Sequence, residues 1–205
     1  MSATIIDDYS GIQLECHSLS NYIQAARRHC ESVVILQSAD DTSMVIYSTE
    51  LLLYTCFEMG LKFIYVLCRL ESEWQSLPTD QTALHKFIGE ILKQHDHSLD
   101  RTFDAACTFN DLLVIDDLQR FSFNYCNTQP AGNFYEVSYD SEKFALNNTF
   151  STRYPAYSKP DGTDVSIISG YNTSQKVTAA KTLLDISDRL FNRFVAKAYP
   201  ERQNL

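Results

Sequence analysis

Residues 44–70 read MVIYSTELLLYTCFEMGLKFIYVLCRL, an almost unbroken apolar run that is densest over Leu51-Leu52-Leu53-Tyr54-Thr55-Cys56-Phe57. A run of this kind is either a membrane span or the central helix of a bundle. Glu50, Glu58, Lys62 and Arg69 divide it, so no uncharged stretch of about 18 residues remains. Each charge at a bilayer centre costs on the order of 3 kcal/mol. The spacing therefore predicts a largely buried helix over residues 43–73, apolar almost all round, at the centre of a bundle or at a subunit interface.

Upstream, Leu19, Tyr22, Ile23, Ala26, Cys30, Val33 and Val34 recur at three- and four-residue steps and predict a first helix over residues 12–37. Asp40, Asp41 and Ser43 form a polar break that can cap the second helix. Downstream, Leu77-Pro78-Thr79-Asp80 ends that helix. Leu84, Phe87, Ile88, Ile91 and Leu92 define a third, which the polar run Gln94-His95-Asp96-His97-Ser98 interrupts before Leu99 and Phe103 resume the pattern. Leu112, Leu113, Ile115, Leu118, Phe121 and Phe123 predict a fourth helix over residues 110–125. Residues 127–171 change character, being rich in Pro, Gly, Asn, Ser and Tyr. We read them as a long irregular insert, with strand-like runs at 134–139 and 165–168 that give room for a short β-hairpin. A closing helix starts after Ser174, a suitable N-cap, and runs to Tyr199 with Val177, Ala180, Leu183, Leu184, Leu190 and Phe194 on its buried face. The expected fold class is mainly α: one domain over residues 1–205, an up-and-down bundle of about five helices with the insert at 127–171.

Composition bounds the function. The chain of 205 residues carries 26 acidic and 17 basic side chains, a net charge of −9. Such a surface repels phosphate chains at long range, which disfavours bulk nucleic-acid binding. The N-terminus lacks a basic segment followed by an apolar one, so no secretory signal is read there. The six cysteines (Cys16, Cys30, Cys56, Cys68, Cys107, Cys126) contain no C-x-x-C and lie mostly within apolar helical patterns. Buried thiols in a reducing, cytoplasmic setting are the expectation, with no membrane partner.

Three pieces together resemble the HEPN family, small helical bundles found beside nucleotidyltransferases, in toxin–antitoxin pairs and in defence systems. Glu58-Met59-Gly60-Leu61-Lys62 is similar to the family's E-x-x-L-K pattern. His97-Ser98-Leu99 resembles its H-D-L segment, with Ser98 in place of the acidic residue, and Arg153-Tyr154-Pro155 resembles the R-Y-P before its closing helix. The resemblance covers residues 14–198; the stretch from 128 to 151 is long for the pattern. It implies a HEPN-like bundle, and it points to a homodimer that binds a nucleotide or a partner protein. The residues it singles out are Glu58, Lys62, Arg153 and, beside Arg153, Tyr157. Read physically, Glu58 and Lys62 stand at i,i+4 and can pair on one helix face. Arg153 can clamp a phosphate in two-pronged fashion or cap helix carbonyls.

HEPN ribonucleases use an Arg followed, after four to six intervening residues, by a His. Here no His follows His97, and none of His17, His29, His85, His95 and His97 has an Arg at that distance before it. No catalytic residue is assigned, and the enzyme reading is the lesser one. It survives as a diverged ribonuclease using Arg153 with Tyr157 or Lys159. A helical scaffold with no ligand is the third alternative. His95-Asp96-His97, with His85 upstream, is the one constellation resembling a metal site. On a helix His95 and His97 diverge by about 200°, so a polar helix junction is preferred and neither metal nor cofactor is assigned. Gly-rich phosphate loops and G-x-S-x-G elbows are absent from the sequence. The aromatic insert residues Phe134, Tyr135, Tyr139, Phe144, Phe150, Tyr154, Tyr157 and Tyr171 pack over the bundle or meet a partner.

Overall fold

A computed structural model describes residues 10–38, 46–109, 116–128, 132–147 and 172–200. They form α1 (Ser10–Gln37), α2 (Ile46–Ser72), α3 (Gln81–Lys93), α4 (Leu99–Cys107), β1 (Phe121–Thr128), β2 (Gly132–Tyr139), β3 (Glu142–Asn147) and α5 (Thr173–Ala198). The described chain is thus mainly α, with a small antiparallel sheet in the order β1-β2-β3.

The apolar run becomes α2, and the reason it is apolar all round is that every side of it is covered. α1, α4, α5 and β3 all pack on it, and Leu53, Phe57, Leu61, Phe63, Ile64 and Leu67 have no accessible surface. Each large side chain removed from water in this way contributes roughly 1.5–3 kcal/mol. By length and composition α2 could cross a membrane: within Ser48–Ser72 an 18-residue stretch has a mean hydropathy of 1.6, and 67 % of that stretch is buried inside the protein.

Contacts fix the directions of the helices. Tyr22 of α1 stacks on Phe63 of α2 with ring centroids 6.1 Å apart, while the thiols of Cys30 and Cys56 meet, so α1 and α2 are antiparallel. α5 runs parallel to α2: Lys176 meets Glu50, Leu183 meets Gly60, and Arg193 meets Glu71 through Nε at 3.0 Å. At the α2–α5 crossing a Cβ on Gly60 would stand 3.0 Å from Leu183 Cδ2, so a side chain there would press on Leu183.

α3 begins where Asp80 accepts from the Thr82 and Ala83 backbone amides at 3.2 and 2.8 Å, as an N-cap should. It ends at the polar run 94–98, where Asp96 takes a left-handed φ of 46°. α4 continues beyond it. The break between α3 and α4 therefore falls at the predicted place.

The fourth predicted helix needs correction. Residues 110–115 lie outside the described residues, 116–118 are helical, and residues from Phe121 onward are strand β1. Phe121-Ser122-Phe123-Asn124-Tyr125-Cys126 alternates with a period of two, and the three-residue step from Leu118 to Phe121 masked that pattern. The insert is also less irregular than expected, since 132–147 forms two of the three strands. The run at 134–139 is indeed strand; 165–168 lies outside the described residues, as do Asp40, Asp41 and Ser43. Ser174 does not cap α5: that position is held by Asn172, in a left-handed conformation.

The sheet's buried face is aromatic because every second residue points inward: Phe121 and Phe123 on β1, Tyr135, Val137 and Tyr139 on β2, Phe144 and Leu146 on β3. It packs on α2 through Phe57, whose ring lies 6.0 Å from Phe123 and 6.2 Å from Phe144. Tyr135 reaches past it to α4, its hydroxyl accepting the Leu99 amide at 3.3 Å. The turn joining β2 and β3 is Asp140-Ser141, with φ of 49° and 68°. Two positive φ values in a two-residue loop are what a hairpin of this hand requires. Arg120 anchors the turn, its Nε donating to Asp140 at 2.8 Å. That guanidinium holds the Asp140 carboxyl below its ordinary value.

Candidate functional site

Glu58 and Lys62 face the turn between α3 and α4, and that turn brings His97 to them. One oxygen, Glu58 Oε1, accepts from Lys62 Nζ at 2.8 Å and from His97 Nδ1 at 2.8 Å. Because an ionised carboxylate can only accept, His97 carries its proton on Nδ1 and leaves Nε2 for another partner. The acid and the lysine are mostly buried, at 14 % and 12 % side-chain exposure, whereas His97 is 69 % exposed. Tyr54 fixes the turn from below by donating its hydroxyl to the His97 carbonyl. The Tyr22 phenol, across on α1, is pushed up from its ordinary value by burial and then by the Glu58 charge. The result is a held, partly exposed imidazole standing on a buried ion pair. Chemically it can bind an anion or a polar edge.

Of the residues singled out in the sequence, Glu58 and Lys62 thus meet, and the H-x-L piece joins them. Arg153 and Tyr157 lie outside the described residues. The two histidines of the run at 95–97 part company: His95 packs edge-on to Tyr65 with centroids 5.1 Å apart, while His97 goes to Glu58. Among the described residues no three His, Cys, Asp or Glu side chains gather as a metal set.

Two polar features escaped the sequence reading. Glu50 and Lys176 form an ion pair at 2.5 Å with 0 % and 1 % exposure. Asn147 Nδ2, buried on β3, adds a hydrogen bond of 3.0 Å to the same carboxylate. A charge inside an apolar helix was visible at Glu50, but its partner stands on the last helix and no spacing rule links the two. The second is Glu15 on α1, which faces His85 of α3. Glu15, on the amphipathic α1, looks like a surface charge in the sequence.

No family model, no curated protein and no solved structure matches this chain.

Proposed function

We propose that this chain is a HEPN-like binding module, cytoplasmic and homodimeric, that takes a nucleotide at His97 and does not cut RNA by Arg/His chemistry. One observation carries the reading: the E-x-x-L-K and H-x-L pieces, 39 residues apart between Glu58 and His97, share one carboxylate. An imidazole anchored through Nδ1 presents Nε2, which donates to a phosphate when the ring is protonated and accepts from a base edge when it is neutral. Lys62, in the same cluster, adds positive charge. The sequence lacks the Arg/His spacing of the ribonucleases, which supports binding over cleavage.

The test is a melting series of the full chain against a panel of nucleoside mono-, di- and triphosphates. A nucleotide at about a hundred times its Kd stabilises by about 3 kcal/mol, and His97→Ala is expected to remove that gain. An unmoved melting curve across the panel would discard the nucleotide reading in favour of a scaffold. Incubation with a mixed RNA pool, beside an Arg153→Ala control, is expected to give equal background decay. Faster decay with the unaltered chain would restore the ribonuclease alternative. Light scattering over a concentration series checks the dimer; monomer at every concentration would remove it.

A further inference from the structure

Between α1, α2 and α3 lies a partly open cavity of about 170 Å³. Leu19, Phe63, Val66, Ile88 and Leu92 make its walls apolar, and the Tyr22 ring adds an aromatic surface. Set into that wall is Glu15, with 4 % of its side chain exposed. Its two oxygens share a single donor, His85 Nδ1, at 3.3 and 3.2 Å. Charge-assisted bonds are normally about 2.7–2.9 Å, so this one is long, and His85 itself is 72 % exposed. No second side chain among the described residues donates to Glu15. An ionised carboxylate has about four acceptor positions, so beyond the one long bond from His85 it can accept from a donor that enters the cavity. The same charge, after burial, helps push the neighbouring Cys16 thiol up to about 11.

Access is built in as well. Gly89 lines the cavity on α3, and a Cβ placed there would meet nothing within 4 Å. Open space at a mid-helix glycine means that no packing demands its smallness, while helix propensity argues against it by about 1 kcal/mol.

We propose that this cavity binds a compact apolar amine. The ammonium fills the acceptor positions of Glu15, and the hydrocarbon or aryl body lies between Leu19, Phe63 and Ile88, with Tyr22 offering its ring face to the cation. The volume sets the size: a cavity of about 150 Å³ takes a benzene ring, so this one takes a single aryl ring with its short ammonium arm reaching toward Glu15. Anions are repelled by Glu15, and a neutral hydrocarbon brings the carboxylate no donor. This inference does not depend on nucleotide binding at His97.

Titration calorimetry of the full chain with 2-phenylethylamine, 2-phenylethanol and phenylacetate tests it. The amine is expected to bind roughly 10- to 100-fold more tightly than the alcohol, the ratio of a charge-assisted to an unassisted contact, and phenylacetate not at all. Glu15→Gln is expected to bring the amine down to the level of the alcohol, and Gly89→Leu to abolish both by filling the opening. Equal affinity for amine and alcohol, an unchanged amine affinity in Glu15→Gln, or no amine binding to the unaltered chain would overturn the proposal. Should Glu15→Gln fail to melt cooperatively, the amine-to-alcohol ratio on the unaltered chain and the Gly89→Leu titration decide it.

Discussion

Glu58 holds two donors on one oxygen because α2 supplies the lysine four residues on and the α3–α4 turn delivers the histidine. The pairing at i,i+4 is a local property of any helix; the imidazole is tertiary. Its neighbour in kind, Glu15, acts on a thiol. Cys16 is 5 % exposed, and burial followed by the Glu15 charge raises it from 9.0 to about 11. The sign follows from linkage. Below pH 9 both folded and unfolded chains keep the proton; above it the unfolded chain releases the proton first, so stability falls until the folded thiol also ionises. Comparing urea unfolding of the unaltered chain with Cys16→Ala from pH 8 to 11 is expected to show the unaltered chain losing up to about 3 kcal/mol more over that range. Parallel curves would show that the thiol does not resist ionisation.

At the scale of elements, the β2–β3 hairpin turns on Asp140-Ser141; aspartate tolerates a left-handed backbone, whereas serine does not favour one. Such a conformation costs an L-residue about 1–2 kcal/mol, and glycine recovers part of this against its own chain entropy. Ser141→Gly is expected to stabilise by about 0.5–1 kcal/mol in chemical denaturation; a loss would mean that the serine contributes something beyond the turn. Asp140 should be kept, since it holds Arg120. The same hairpin marks the limit of what periodicity could disclose. α1 and α5 were legible because their apolar residues repeat along one face, α2 because it is apolar almost all round, and the break between α3 and α4 because a polar run interrupts the pattern. β1 was not, because Leu118, Phe121 and Phe123 satisfy a helical step and an alternating one together, and the choice is made by pairing with β2. Of the site, the Glu58–Lys62 pair was legible as a spacing. That His97 closes it, and that Glu15 and Glu50 are buried rather than solvated, depended on which helices lie side by side.

Taken as a whole, the molecule is tied by a buried charge cluster that joins its middle to its final helix. Removing one member strands the other in a dry interior, and breaking a pair of this kind costs about 3–5 kcal/mol. Lys176→Met is therefore expected to destabilise strongly, and the double change Glu50→Gln with Lys176→Met to recover much of the loss. Thermal melts of the single and double variants would show this; additive losses would mean that the pair does not act as a unit.

The parallel placement of α5 on α2 has a consequence for biosynthesis. The helix that shields Gly60 and Phe63 follows every other described element in the chain, so until it emerges from the ribosome the greasiest segment waits with one flank bare. A nascent chain stalled before residue 173 presents to chaperones, or to the membrane-insertion machinery, a segment that the finished protein keeps hidden.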